Sequence, residues 1–175
     1  MSKGLLQQMQ QRTAGVAVVP SAVRGPESKG VLPKARAFLT QMNLSAFGTD
    51  DRGKFNRELN RQTKALTAAL PVKERHFGLA RKVLNLFLRE CLYNTYLTQE
   101  YDLHRAEMHL ELPLDSFTAK GVRSRSPEDV VPRWLGVRML TEEASKAYQA
   151  RADELAAEEG FARVHLDLYY WTERD

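Results

Sequence analysis

Apolar residues recur at helical spacing along much of the chain, and prolines and glycines cut that pattern into segments. Ala35, Phe38, Leu39 and Met42 predict a short helix after Pro33. Residues 48–53, bounded by Gly48 and Gly53, read as a loop. Helix follows over about 55–70 and ends at Pro71, which cannot continue it. The next helix is expected over about 79–98. Leu79, Val83, Leu84, Leu86, Phe87, Leu88, Cys91 and Leu92 cover most of its circumference, which predicts burial on nearly all sides. The exception is a polar stripe of Lys82, Asn85, Arg89 and Tyr93 on one face. Residues 99–111 have no clean period. Pro113 and Pro127 bracket a short helix over about 116–122, and Pro132 opens a loop holding Trp134 and Gly136. Thr141 followed by Glu142 and Glu143 reads as a helix start, and Gly160 as its stop. Residues 164–168 alternate like a short strand. Residues 1–30 carry Gly15, Pro20, Gly25, Pro26 and Gly30 with little periodicity, so an irregular N-terminal segment is expected there. The expected fold class is all-α: one compact helical domain over 31–175, preceded by that segment.

Composition narrows the class. At 175 residues and 43% hydrophobic content the chain can bury a real core, which excludes a disordered protein. A single cysteine, Cys91, excludes an intramolecular disulfide and a cysteine-rich zinc site, and suits a reducing cytoplasm. The apolar run 16–19 is too short for a secretory signal and meets Pro20, and no stretch approaches the ~20 apolar residues that span a bilayer. Charge is lopsided. Residues 1–90 hold 16 Lys/Arg and 6 Asp/Glu, a balance of +10, and residues 91–175 hold 10 and 16, a balance of −6. A polyanion is therefore expected to meet the N-terminal half first, where Arg57, Arg61 and Lys64 form a basic helix face.

Candidate chemistry is sparse. The chain has no Walker loop, GxGxxG, GxSxG or HExxH, and His104 and His109 fall on different faces of a helix, so no metal is expected. Lys82 stands at the start of the apolar helix, just after a tight turn expected at Gly78. Shelter from water and a positive helix end both favour the neutral, nucleophilic amine; the plainer reading is a lysine that snorkels to solvent. Asp115 precedes Ser116 and a short helix, as an N-cap does, and a carboxylate held there also suits stabilisation of positive charge in a transition state. Tyr169, Tyr170 and Trp171 form an aromatic cluster that either packs in the core or stacks on a base.

Together these pieces resemble the helix-hairpin-helix DNA glycosylases, most of all the small archaeal-type 8-oxoguanine glycosylases. The family hairpin of glycine, aliphatic, glycine, any residue and lysine is matched by Gly78, Leu79, Ala80, Arg81 and Lys82, followed by Phe87-Leu88-Arg89. Asp115 after Leu114 matches the family's aspartate, and Leu166-Asp167-Leu168 with Trp171 its closing segment, which is helical in the family. Ala80 replaces the second hairpin glycine, the interval from Lys82 to Asp115 implies an insertion around 93–111, and Arg174-Asp175 stands where the archaeal enzymes carry a lysine. The resemblance implies a monomeric, cytoplasmic, nucleoid-associated base-excision enzyme without a cofactor. Its substrate would be double-stranded DNA containing a modified or damaged base, with Lys82 and Asp115 catalytic. Gly78, Arg81, Asn85, Arg89, Asp167 and Trp171, with Arg57, Arg61 and Lys64, would hold the DNA and the base. The alternative is a helix-hairpin-helix protein that binds DNA without chemistry, in which Lys82 touches phosphate and Asp115 only caps.

Overall fold

A computed structural model describes residues 2–23 and 30–172; Gly25, Pro26, Arg174 and Asp175 lie outside them. The fold is all-helical, with no strand among the described residues.

The expectation of an irregular segment over 1–30 is corrected, because Lys3–Ala17 forms α1. Its inward face is Leu6, Gln10, Thr13, Ala14 and Ala17, and two polar members hide it from a hydrophobicity pattern. The polar groups have work inside the protein. Gln10 Nε2 donates to Leu39 O and Met42 O, both at 2.8 Å, at the C-terminal end of α2 (Val31–Thr40). Arg36 of α2 returns the favour, donating to Val18 O at 2.9 Å and Gly15 O at 3.2 Å at the end of α1. Each helix thus satisfies the orphan carbonyls of the other.

Asp51 caps α3 (Arg52–Ala69), accepting from Lys54 N at 2.9 Å, so the expected loop at 48–53 ends earlier than its glycines suggest. Helix α4 (Phe77–Tyr93) packs against α3 and is joined to it by residues 70–76. The long helix expected over 79–98 is two. Asn94 breaks it, and its side chain accepts from Tyr96 N and Leu97 N at 3.1 Å to start α5 (Thr95–Tyr101). A 3-10 run, Leu103–His109, follows. Helix α6 (Ser116–Ser124) is short, as expected. Helix α7 (Glu142–Glu159) starts at Thr141, which accepts from Ala144 N at 3.1 Å, and stops at Gly160 with φ +79°. The stretch 164–168 is helical, as the resemblance implies and against its alternating pattern: Arg163–His165 is a 3-10 turn leading into α8 (Leu166–Thr172).

Two cores result. Residues from α1 to α5, among them Leu39, Phe55, Leu59, Leu84 and Phe87, make the larger. Residues from α6 to α8, with Val131 and Leu140, make the smaller. Gly78 lies in the first turn of α4, not in a turn before it, and is buried where the 3-10 turn Val137–Met139 crosses the helix. A Cβ there would stand 2.0 Å from Val137 O and 2.8 Å from Leu140 Cβ, so only glycine lets the two pieces meet. Among the described residues no helix is long and apolar enough to cross a membrane.

Candidate active site

Between the two cores runs an extended segment, 110–114, buried at every position. Buried backbone outside regular structure must find its hydrogen bonds elsewhere. Here side chains supply them. The Gln149 amide accepts from Leu112 N at 2.9 Å and donates to Leu112 O at 2.8 Å, as a neighbouring strand would. Arg163 donates to Leu110 O and His109 O, both at 3.0 Å, and Thr118 Oγ1 donates to Pro113 O at 2.9 Å. Burial pulls the Arg163 guanidinium below its usual range, against the opposing charges of Asp153 and Glu111.

Glu111 ties this segment to α4. Its carboxylate accepts two bonds from Arg81, each 2.8 Å, and one from Asn85 at 2.9 Å. Burial pushes the carboxyl up; the Arg81 bonds and charge, Asn85 and Arg163 outweigh that and hold it below the usual carboxylate range. Arg81 also bonds Asn60 Oδ1 and Thr63 Oγ1 of α3, both at 2.9 Å. The register between α4 and segment 110–114 is therefore fixed by a charged fork inside the protein.

That register sets Asp115 opposite Lys82. The two oxygens of Asp115 divide their tasks. Oδ1 accepts from Phe117 N at 2.8 Å and Thr118 N at 3.0 Å, and Thr118 Oγ1 accepts from Asp115 N at 2.9 Å, completing a capping box. Oδ2 faces Lys82 Nζ at 3.6 Å, an ion pair longer than a hydrogen bond. Lys82 is only 8% exposed, and what it exposes opens into a cleft of about 470 Å³. The cleft lies between the 3-10 turn Pro20–Val23, Glu74, Leu79 and Lys82 on one side and residues 115–117 and 135–138 on the other. Exposed Arg138 and buried Glu74, both on its lining, form a second ion pair.

The rest of the polar stripe on α4 is met residue by residue within the protein; Asn85 is buried, Arg89 is partly buried and Tyr93 is exposed. Asn85 meets Glu111, Arg89 meets Asp167 and Glu90, and the Tyr93 hydroxyl lies 2.9 Å from His165 Nδ1. His165 Nε2 in turn lies 2.7 Å from Glu107. Arg81, Asn85, Arg89 and Asp167 are thus engaged within the protein, and Gly78 is covered by Val137. Arg57, Arg61 and Lys64 are exposed on α3, with Arg61 clasped to Glu58, and none of them lines the cleft. Trp171 is 58% exposed on α8. Cys91 is buried, and burial pushes its thiol well above the usual range, so it is no nucleophile. Among the described residues no cluster of histidine, cysteine and carboxylate is placed to hold a metal ion.

Three participants escaped sequence reasoning. Glu111 had a signal: it is the one charge in Leu110-Glu111-Leu112-Pro113-Leu114. Glu74 and Arg138 had none, because the fold alone brings them together. No protein-family model, no curated protein and no solved structure matches this chain.

Proposed function

We propose that this chain is a DNA glycosylase with an associated AP-lyase step, which excises a modified or damaged base from double-stranded DNA. The observation that carries the reading is the Lys82 amine 3.6 Å from the Asp115 carboxylate on the wall of a 470 Å³ cleft. A volume of that size lies within the range of small-ligand sites. A base reaches such a cleft only by leaving the stack. Lys82 Nζ gives up a proton to solvent and, as the neutral amine, attacks C1′ of the flipped nucleotide. The electron pair of the glycosidic bond leaves with the base, which takes a proton from solvent. Asp115 Oδ2 faces the positive charge that grows on the sugar, and the cap on Oδ1 keeps it there without reorganisation. Loss of protons from nitrogen and opening of the sugar give a Schiff base, from which β-elimination expels the 3′ phosphate. The chemistry uses only the lysine and the carboxylate.

The reading extends to membership of the helix-hairpin-helix superfamily, with α3 and α4 as the paired helices, and to action as a monomer on nucleoid DNA in the cytoplasm. It is tested by incubating the protein with a panel of duplexes, each carrying one altered base, and measuring free base. Release of one class of base is the expected result. Binding to every duplex with release from none would move the chain to the class of DNA-binding proteins without chemistry.

A further inference from the structure

The C-terminal half is acidic as a whole, yet residues 116–138 hold five Lys/Arg and two Asp/Glu. Two of those five cations, Lys120 and Arg123, meet at one place. A groove of about 380 Å³ is lined by Ser116, Lys120, Arg123, Ser124 and Trp134. The four α6 residues stand at i, i+4, i+7 and i+8, so one face of the helix forms the groove. Two cations, two hydroxyls and an indole line it, and no carboxylate does. Ser116 also lines the Lys82 cleft, so the groove adjoins the site where the base would react.

Resting on the glycosylase reading, we infer that this groove holds the nucleotide next to the flipped one, with its phosphate against Lys120 and Arg123 and its base stacked on Trp134. The indole is already fixed in place. Its Nε1 donates to Ser116 Oγ at 3.2 Å, and its ring stands edge-on to Tyr148 at 5.7 Å and 83°. Arg123 donates to Pro132 O at 2.8 Å, two residues from Trp134, so cation and ring keep one spacing. A phosphate calls for cations and hydroxyl donors, and a base calls for an aromatic face; the groove offers both side by side. A plain acidic group would have no use for the indole, and an apolar ligand none for the charges. The α3 face differs on each count. Arg57, Arg61 and Lys64 have no aromatic between them, Arg61 is clasped to Glu58, and none lines the cleft. The strand is gripped at α6, and the α3 charges add long-range attraction.

The test uses the full chain and a duplex carrying a non-cleavable abasic analogue, followed by fluorescence anisotropy across a salt series. Lys120→Gln is expected to weaken binding to all duplexes alike and to lower the salt slope by about one. Trp134→Ala is expected to cost roughly ten- to hundred-fold in affinity, with Trp134→Phe recovering most of it. Because Trp134 packs on Tyr148, a second measurement avoids altering it. Trp171→Phe leaves Trp134 as the single tryptophan; at DNA concentrations where anisotropy shows this variant bound, DNA should quench its emission, including in Arg57→Gln/Arg61→Gln/Lys64→Gln combined with it. Wild-type binding to duplex with unchanged affinity in Lys120→Gln and no change in Trp134 emission would overturn the inference and leave the glycosylase reading standing. Failure of the wild-type protein to bind any duplex at low salt would overturn both.

Discussion

Replacing Glu111 by glutamine should be among the most damaging changes available in this chain. The Arg81 and Glu111 side chains are 9% and 10% exposed, and two 2.8 Å bonds join them. Glu111→Gln keeps the shape but leaves the Arg81 guanidinium buried without its counter-charge. Breaking a buried pair on one side costs about 3–5 kcal/mol. For a protein of this size that lowers Tm by roughly 6–20 °C, at about 2–4 °C per kcal/mol. The effect has a pH signature. Glu111 is held below its ordinary value of 4.5, so its contribution is complete above that value and is lost as pH falls through the folded-state value. Thermal melts followed by circular dichroism at pH 7 and at stepwise lower pH would show a wide gap between wild type and variant that closes in acid. A variant melting within a degree or two of wild type at pH 7, or a gap constant down to pH 3, would refute the argument.

Gly78→Ala should destabilise by about 1–3 kcal/mol through overpacking against Val137 O and Leu140, although alanine in an open helix would gain about 1 kcal/mol; a rise in Tm would show that the crossing is not there. Asp115→Asn keeps the cap but removes the carboxylate facing buried Lys82, so it should lower Tm by less than Glu111→Gln does, Asp115 being partly open to solvent, and slow base release by about 100-fold or more in single-turnover assays. Arg57→Gln, Arg61→Gln and Lys64→Gln combined should weaken duplex binding at low salt, with a difference from wild type that vanishes at about 1 M salt, where screening reaches about 3 Å.

Much of the helical order was legible because it rests on local rules. Pro71 stops α3, Thr141 starts α7, and Gly160 ends it in a left-handed turn. The same rules mark Asp115 as a cap, and the buried helix after Gly78 marks Lys82 as sheltered. What was not legible depends on partners distant in the chain. Helix α1 carries Gln10 and Thr13 on its inward face, and these become reasonable only once Leu39 O and Met42 O are in place. Asn94 reads as one more helical residue until its side chain caps the next segment. The stripe of Lys82, Asn85, Arg89 and Tyr93 looks like a solvated or ligand-facing edge in the sequence. In the fold it is a seam, closed by Asp115, Glu111, Asp167 and His165. Only Lys82 among the four opens into the cleft. Part of the charge imbalance between the halves is met within the protein, where Arg81 and Arg89 pair with Glu111 and Asp167.

Lys82 is the nucleophile of the proposed chemistry, and borohydride reduction tests that directly. A duplex bearing a base that the protein releases, incubated with wild-type protein and borohydride, should give a stable protein–DNA adduct. Lys82→Gln should give none while binding the same duplex with nearly wild-type affinity. An adduct formed in equal yield by Lys82→Gln would contradict the central claim.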